Sequence, residues 1–188
     1  MNRQPRSTSP SLLLVALLLG ACASEDNGSQ SEAAASDVPA GLERVETERV
    51  SLAVPEEFHE IDAPADSIWR YIYQNEEETA QVAISVPLEG YAARMATNVY
   101  IDVIGGAVDG LRPVPPEERP EWEQDIGEED PELFHRSRFT YDGYETVLWS
   151  LAGPEREAVL VQYVSTSIDE DIAQAIEQSI YLDEADAT

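Results

Sequence analysis

The chain holds one thiol, Cys22, directly behind Leu19, Gly20 and Ala21 at the end of the apolar run Leu12–Leu19. A thiol is nucleophilic enough to be modified, and a single one excludes both an intramolecular disulfide and a zinc site built from several thiolates. His59 and His135 are the only histidines. A catalytic triad would need one of them beside a serine and a carboxylate, and no motif supplies that arrangement, so both read as structural. The carboxylates from Asp125 to Glu132 have calcium-ligand chemistry but lack the Asp-x-Asp-x-Asp-Gly ladder, and read as a solvated acidic loop. Trp69, Tyr71 and Tyr73 alternate along one strand face; with Tyr100 they offer a lining for an apolar ligand groove, against the commoner role of aromatic residues as core. There is no Gly-x-Ser-x-Gly elbow, phosphate-binding Gly-rich loop, dinucleotide fingerprint or His-Glu-x-x-His pair. These residues predict neither an enzyme nor a metal or other cofactor.

The segment around Cys22 is a more specific signal. Arg3 and Arg6 precede Leu12–Leu19, a run too short to span a bilayer but long enough for the apolar region of an export signal. Leu19-Gly20-Ala21-Cys22 resembles the bacterial lipobox, a branched apolar residue and two small residues before the cysteine to be lipidated. That resemblance implies a diacylglyceryl group on the Cys22 thiol and cleavage between Ala21 and Cys22, with Leu19, Gly20 and Ala21 read by the signal peptidase. Small side chains suit a narrow peptidase cleft, and two or more acyl chains make a stable anchor where one binds marginally. The expected organisation is a signal at 1–21, a lipidated Cys22 with a flexible linker to 41, one domain at 42–182 and an acidic tail at 183–188. Ala23 to Ala40 is small and polar without apolar period, a tether with an r.m.s. reach of about 21–25 Å. The domain is thus expected at the extracytoplasmic face of the cell membrane, held by lipid.

Composition narrows the partners. Of 188 residues 38 are acidic and 11 basic, every one of the latter an arginine, for a net charge of −27. No basic stripe exists to release counterions from phosphates, so nucleic acid is not a partner, and electrostatic docking on anionic lipid is disfavoured. With 43% hydrophobic residues the chain still has a core to fold around.

The elements that must position these residues read mostly as strands. Val50, Leu52 and Val54 alternate before Pro55; Ser67–Tyr73 and Ala80–Pro87 flank a polar turn and predict a hairpin. Thr97–Ile104 alternates Val99, Ile101 and Val103 and predicts another strand, closed by Gly105-Gly106; a helix from Tyr91 competes, and the alternating β-branched residues favour the strand. Residues 111–132, with Pro113, Pro115, Pro116 and Pro120, predict an exposed acidic insertion carrying at most a short helix near Trp122. Phe134–Tyr141 and Tyr144–Leu151 around Asp142-Gly143 predict a type I′ hairpin, and Ala158–Ser165 a third strand of the meander. Ser167 and Glu170 form a capping box for a closing helix whose stripe is Ile168, Ile172, Ile176 and Ile180. The sum is an α+β sandwich: an antiparallel sheet of about six to seven strands with a C-terminal helix packed on it.

Val54-Pro55, Trp69, Asn98-Val99, the turns at Gly143 and Gly153, and Ser179-Ile180, in that order, resemble the PsbP-like fold, which also occurs in small actinobacterial lipoproteins. The resemblance implies an antiparallel sheet flanked by helices and no enzymatic activity. Where that fold carries a helix after the Asn-Val strand, this chain has Gly105-Gly106 and then the Pro-rich stretch.

Two functions follow as expectations. One is a non-catalytic accessory lipoprotein that binds an envelope protein or other envelope component through the acidic insertion or an exposed edge strand. The other is a carrier or sensor of an apolar or cationic small molecule, using Trp69, Tyr71, Tyr73 and Tyr100.

Overall fold

Strands rich in apolar residues on both faces must be covered on both, and β9 (Tyr144–Ala152) and β10 (Glu157–Ser165) are such strands, buried at nearly every position. A computed structural model describes residues 38–124 and 130–183. Leu19, Gly20, Ala21, Cys22, most of the tether, Asp125–Glu129 of the acidic run and the tail from 184 lie outside the described residues. In the main sheet the order is β3 (His59–Ile61), β4 (Trp69–Gln74), β5 (Ala80–Ser85), β10, β9, β8 (Phe134–Tyr141) and β7 (Arg112–Pro113), with β6 (Leu88–Glu89) beside β10. A second sheet runs β1 (Leu42–Glu46), β2 (Val50–Pro55), β11 (Tyr181–Leu182). All pairings are antiparallel.

Alternation along β9 and β10 sorts the core into two layers. Val147, Trp149, Leu151, Val159, Val161 and Tyr163 meet Val50, Leu52 and Val54 of β2 together with Ala173 and Ile176 of helix α3 (Glu170–Ser179). On the other face Leu148, Ala152, Ala158 and Leu160 meet Ala93, Ala96 and Tyr100 of helix α1 (Ala93–Gly105). The eight-stranded sheet is therefore the middle of three layers, and the expected α+β sandwich holds with eleven strands among the described residues, four of them only two or three residues long. The hairpin β8–β9 turns as expected, with Asp142 at φ 51° and Gly143 at φ 83°.

Three local expectations are corrected. Thr97–Ile104 is helical: Ala93, Ala96, Thr97 and Tyr100 are buried at spacings of three and four, and burying that face outweighs the few tenths of a kcal/mol that each β-branched residue costs a helix. Asn98-Val99 therefore lies in α1, and Gly105-Gly106 ends a helix rather than a strand. No side chain caps the start of α1; the amides of Ala93 and Arg94 donate to the carbonyls of Glu132 (2.9 Å) and Pro131 (3.2 Å). In α3 the cap is Asp169, which accepts from the amides of Asp171 and Ile172, and not Ser167, whose carbonyl and amide are bonded to the Ser165 hydroxyl.

Candidate functional site

Trp69, Tyr71 and Tyr73 do not share a face. The register of β4 against β5 slips between Trp69 and Tyr71, and a one-residue bulge moves a side chain to the opposite side. Trp69 packs on the α1 side and meets Tyr100 edge-on with ring centroids 5.4 Å apart, while Tyr71 and Tyr73 join the core beneath β2. The Tyr100 hydroxyl donates to Gln162 Oε1 at 2.6 Å, and burial raises its pKa well above the ordinary phenol value, so it stays neutral. The expected four-residue aromatic groove is thus divided by the sheet, and its members serve the two core layers.

Residues 111–132 are only in part the exposed insertion that the sequence predicts. Pro116–Glu118 form an exposed 3-10 turn, and the expected short helix is α2 (Glu121–Gln124). That helix is docked. Glu123 is 1% exposed, and Trp122 packs against the core with the Arg136 guanidinium 5.1 Å from its ring centre. Arg136 and Arg138 alternate on the inward face of β8. Arg136 donates to Glu177 and, at 2.6 Å, to the Glu123 carbonyl; Arg138 donates to both oxygens of Glu170 at 2.9 Å. Arg138 Nε also stands 2.9 Å from Glu123 Oε1, an ion-pair contact off the hydrogen-bond line, and Glu123 side-chain oxygens accept no hydrogen bond among the described residues. Burial therefore pushes the Glu123 carboxyl up, against the pull of Arg138 and Arg136. This cluster fastens β8, α2 and α3 to one another. Most of its guanidinium donors are met by Glu177, Glu170 and the Glu123 carbonyl, while both Glu123 side-chain oxygens and the Nε atoms of Arg136 and Arg138 stay buried without a hydrogen-bond partner among the described residues, so the cluster works as a clamp between the three elements.

The two histidines are not brought into a triad. His135 Nε2 lies 3.4 Å from the Ser137 hydroxyl, and burial, then Arg94 and Arg119, lower its pKa. His59 lies at the start of the edge strand β3. Among the described residues no group of three or more His, Cys, Asp or Glu is placed to hold a metal ion, and no helix is long and apolar enough to cross a membrane.

Exposed large apolar side chains are scattered at Val86, Leu133, Tyr144 and Tyr181, and clustered on the outer face of α1; clefts of 470 Å³ by Asp109, Arg112 and Tyr144 and of 680 Å³ by Glu56, His59 and Glu77 are open and lined mainly by polar residues. Met95, Val99 and Val103 recur every four residues and are 53%, 41% and 67% exposed. Beside this ridge an apolar slot of 140 Å³ opens between α1 and the sheet, lined by Ile68, Leu88, Tyr91, Ala96, Tyr100 and Leu160 along with Val99 and Val103. Ligand pockets usually enclose about 300–1,000 Å³; this slot has the size of one side chain. The free edges are poorer surfaces for pairing: β1 presents Glu43, Arg44 and Glu46, and β3 and β7 are two or three residues long.

No protein-family model matches the chain, and no curated protein matches it. Its architecture is similar to the solution structure of cyanobacterial PsbP (CyanoP) from Synechocystis sp. PCC 6803, with a TM-score of 0.51 and 9% identity, covering 87% of this chain and 98% of that one. The fold is PsbP-like. A crystal structure from Bacteroides thetaiotaomicron VPI-5482 aligns with 17% identity and a TM-score of 0.38 over 72% of this chain and 45% of that one. At 9% identity the likeness to the cyanobacterial structure is one of fold, and in this chain α1 covers one sheet face, the part that the β-pattern of Thr97–Ile104 conceals. Two signals in the sequence point to it: Ala93, Ala96, Thr97 and Tyr100 at helical spacing, and Met95, Val99 and Val103 at spacing four.

Proposed function

We propose that this chain is a membrane-anchored, extracytoplasmic lipoprotein acting as a non-catalytic binding module, and that it docks a protein partner on the outer face of α1. The observation that carries the reading is the exposed ridge Met95, Val99, Val103 beside a slot of side-chain size. Such a slot suits an anchoring apolar side chain of a protein interface, whose energy concentrates in a few buried contacts ringed by weaker ones. The acidic stretch is the weaker candidate, because Trp122 and Glu123 are committed to the fold. The Leu19-Gly20-Ala21-Cys22 sequence supports the anchor.

In-cell cross-linking of the tagged chain tests the surface. Val99→Arg should remove the specific adducts of the wild type, whereas Glu117→Arg with Glu118→Arg on the exposed turn should keep them. The reverse pattern would move the interface to the acidic turn. For the anchor, Cys22→Ala should lose incorporation of labelled fatty acid; a labelled variant would sink that part of the reading.

A further inference from the structure

Resting on that docking surface, we infer that its occupant is a second copy of this chain, packed through α1 in antiparallel orientation about a two-fold axis. The outer face of α1 carries two ridges at spacing four. One is Met95, Val99 and Val103; the other is Arg94, Asn98 and Asp102, all exposed. A two-fold axis beside the helix midpoint reverses the order of both. Met95 then comes opposite the second copy's Val103 and Val99 opposite Val99, while Arg94 comes opposite Asp102 and Asn98 opposite Asn98. One axis cannot level both sets, because their centres of reversal differ by one residue; an axis midway between them leaves each pairing about 1.5 Å out of level, less than the width of a side chain. Each face is thus its own complement, as a closed two-fold interface requires.

Orientation is decided by charge. Parallel packing about a two-fold along the helices would set each copy's polar ridge against the other's apolar ridge, with Arg94 level with Arg94 and Asp102 with Asp102; antiparallel packing sets like ridge on like and pairs opposite signs at both ends. Neither residue forms an ion pair among the described residues, so both are available. Charge also explains why the contact is here. Two bodies this acidic repel over most of their surface, whereas this helix face holds one arginine, one aspartate, an asparagine and three apolar residues, and is locally neutral. The slot of 140 Å³ on one side of the apolar ridge and a cleft of 160 Å³ by Arg94, Met95 and Asn98 on the other provide grooves for the facing ridge.

The test places a benzophenone side chain at Val99 in the full chain expressed in cells, with photo-cross-linking and mass determination. An adduct of twice the chain mass is expected. An adduct with a different protein would overturn the second copy as occupant and leave the docking surface standing; no adduct would overturn both. The purified full chain in detergent then reports orientation by sedimentation equilibrium. Arg94→Asp and Asp102→Arg should each weaken the dimer about tenfold, since each replaces two attractive pairs by two repulsive ones. The double variant Arg94→Asp/Asp102→Arg should return to within about twofold of wild type. Failure to restore would overturn the antiparallel arrangement. Raising salt should tighten the wild-type dimer by screening the overall repulsion, and weakening instead would count against a contact held mainly by apolar ridges.

Discussion

Trp149 on β9 and Glu177 on α3 are joined by a 2.7 Å hydrogen bond from the indole Nε1 to Glu177 Oε2, tying the fully buried indole of the main sheet to a partly exposed carboxylate of the C-terminal helix. Glu177 also takes the Arg136 guanidinium, so one carboxylate satisfies an indole and neutralises a buried cation. The helix is thereby fixed in register by polar contacts while Ala173 and Ile176 supply its apolar ones.

Glu177→Gln keeps the shape and removes the charge that Arg136 needs. Breaking one side of a buried pair costs about 3–5 kcal/mol, and the partial exposure of Glu177 lowers the expectation to about 2–3 kcal/mol. Thermal unfolding should shift down by roughly 4–12 °C. Trp149→Phe leaves the ion pair but loses both the hydrogen bond and part of a fully buried ring, and should cost roughly 2–3 kcal/mol as well; a loss below about 0.5 kcal/mol would mean that neither the bond nor the packing of the indole holds the helix.

Glu123 gives a pH signature of unusual sign. Its folded-state pKa is raised, burial outweighing Arg138 and Arg136, so the native chain binds the proton more tightly than the unfolded chain. The ionised form therefore disfavours folding at pH values above the raised pKa, and this penalty disappears below the ordinary carboxyl range near 4.5. Glu123→Gln carries no such penalty. Its stability relative to wild type should improve as pH rises from 4 to 7 by urea unfolding, and a relative decline over that interval would mean that the arginines prevail.

Trp122→Ala tests whether the segment before β8 is part of the fold. The indole packs on the core, lies beneath Arg136 and donates to Glu170 at 3.3 Å. Its removal should cost about 2–3 kcal/mol, towards the low end of buried aromatic truncations because the ring is half-buried. A loss below about 0.5 kcal/mol, the scale of an ordinary surface substitution, would return this helix to the status of a solvated insertion.

Much of the sheet was legible because its signals are local. The Asp142-Gly143 turn and the alternation on either side of it fix β8 and β9 together. In α1 two periods coincide: Val99, Ile101 and Val103 alternate as in a strand, yet in the structure Val99 and Val103 face outward and the buried set is Ala93, Ala96, Thr97 and Tyr100. The bulge in β4 has no marker between Trp69 and Tyr71, so three alternating aromatics look like one face although they occupy two. Arg136 and Arg138 did carry a readable clue, two arginines at spacing two and so on one face of a strand. Their acceptors, Glu123, Glu170 and Glu177, come from distant segments, and only the packing of α2 and α3 brings them together.

The same logic of paired polar groups makes the last prediction. Thr97 on α1 and Ser150 on β9 share a 2.5 Å hydrogen bond, and both residues are fully buried where helix meets sheet. Thr97→Val strands the Ser150 hydroxyl in an apolar interface, and Ser150→Ala strands that of Thr97, each at about 1–3 kcal/mol. Replacing both removes the bond together with both unmet partners, so Thr97→Val/Ser150→Ala should cost clearly less than the two single losses added. Urea unfolding of the four proteins measures the coupling. Strict additivity would mean that each hydroxyl finds another acceptor when its partner is gone, and that α1 is seated on the sheet by its apolar residues alone.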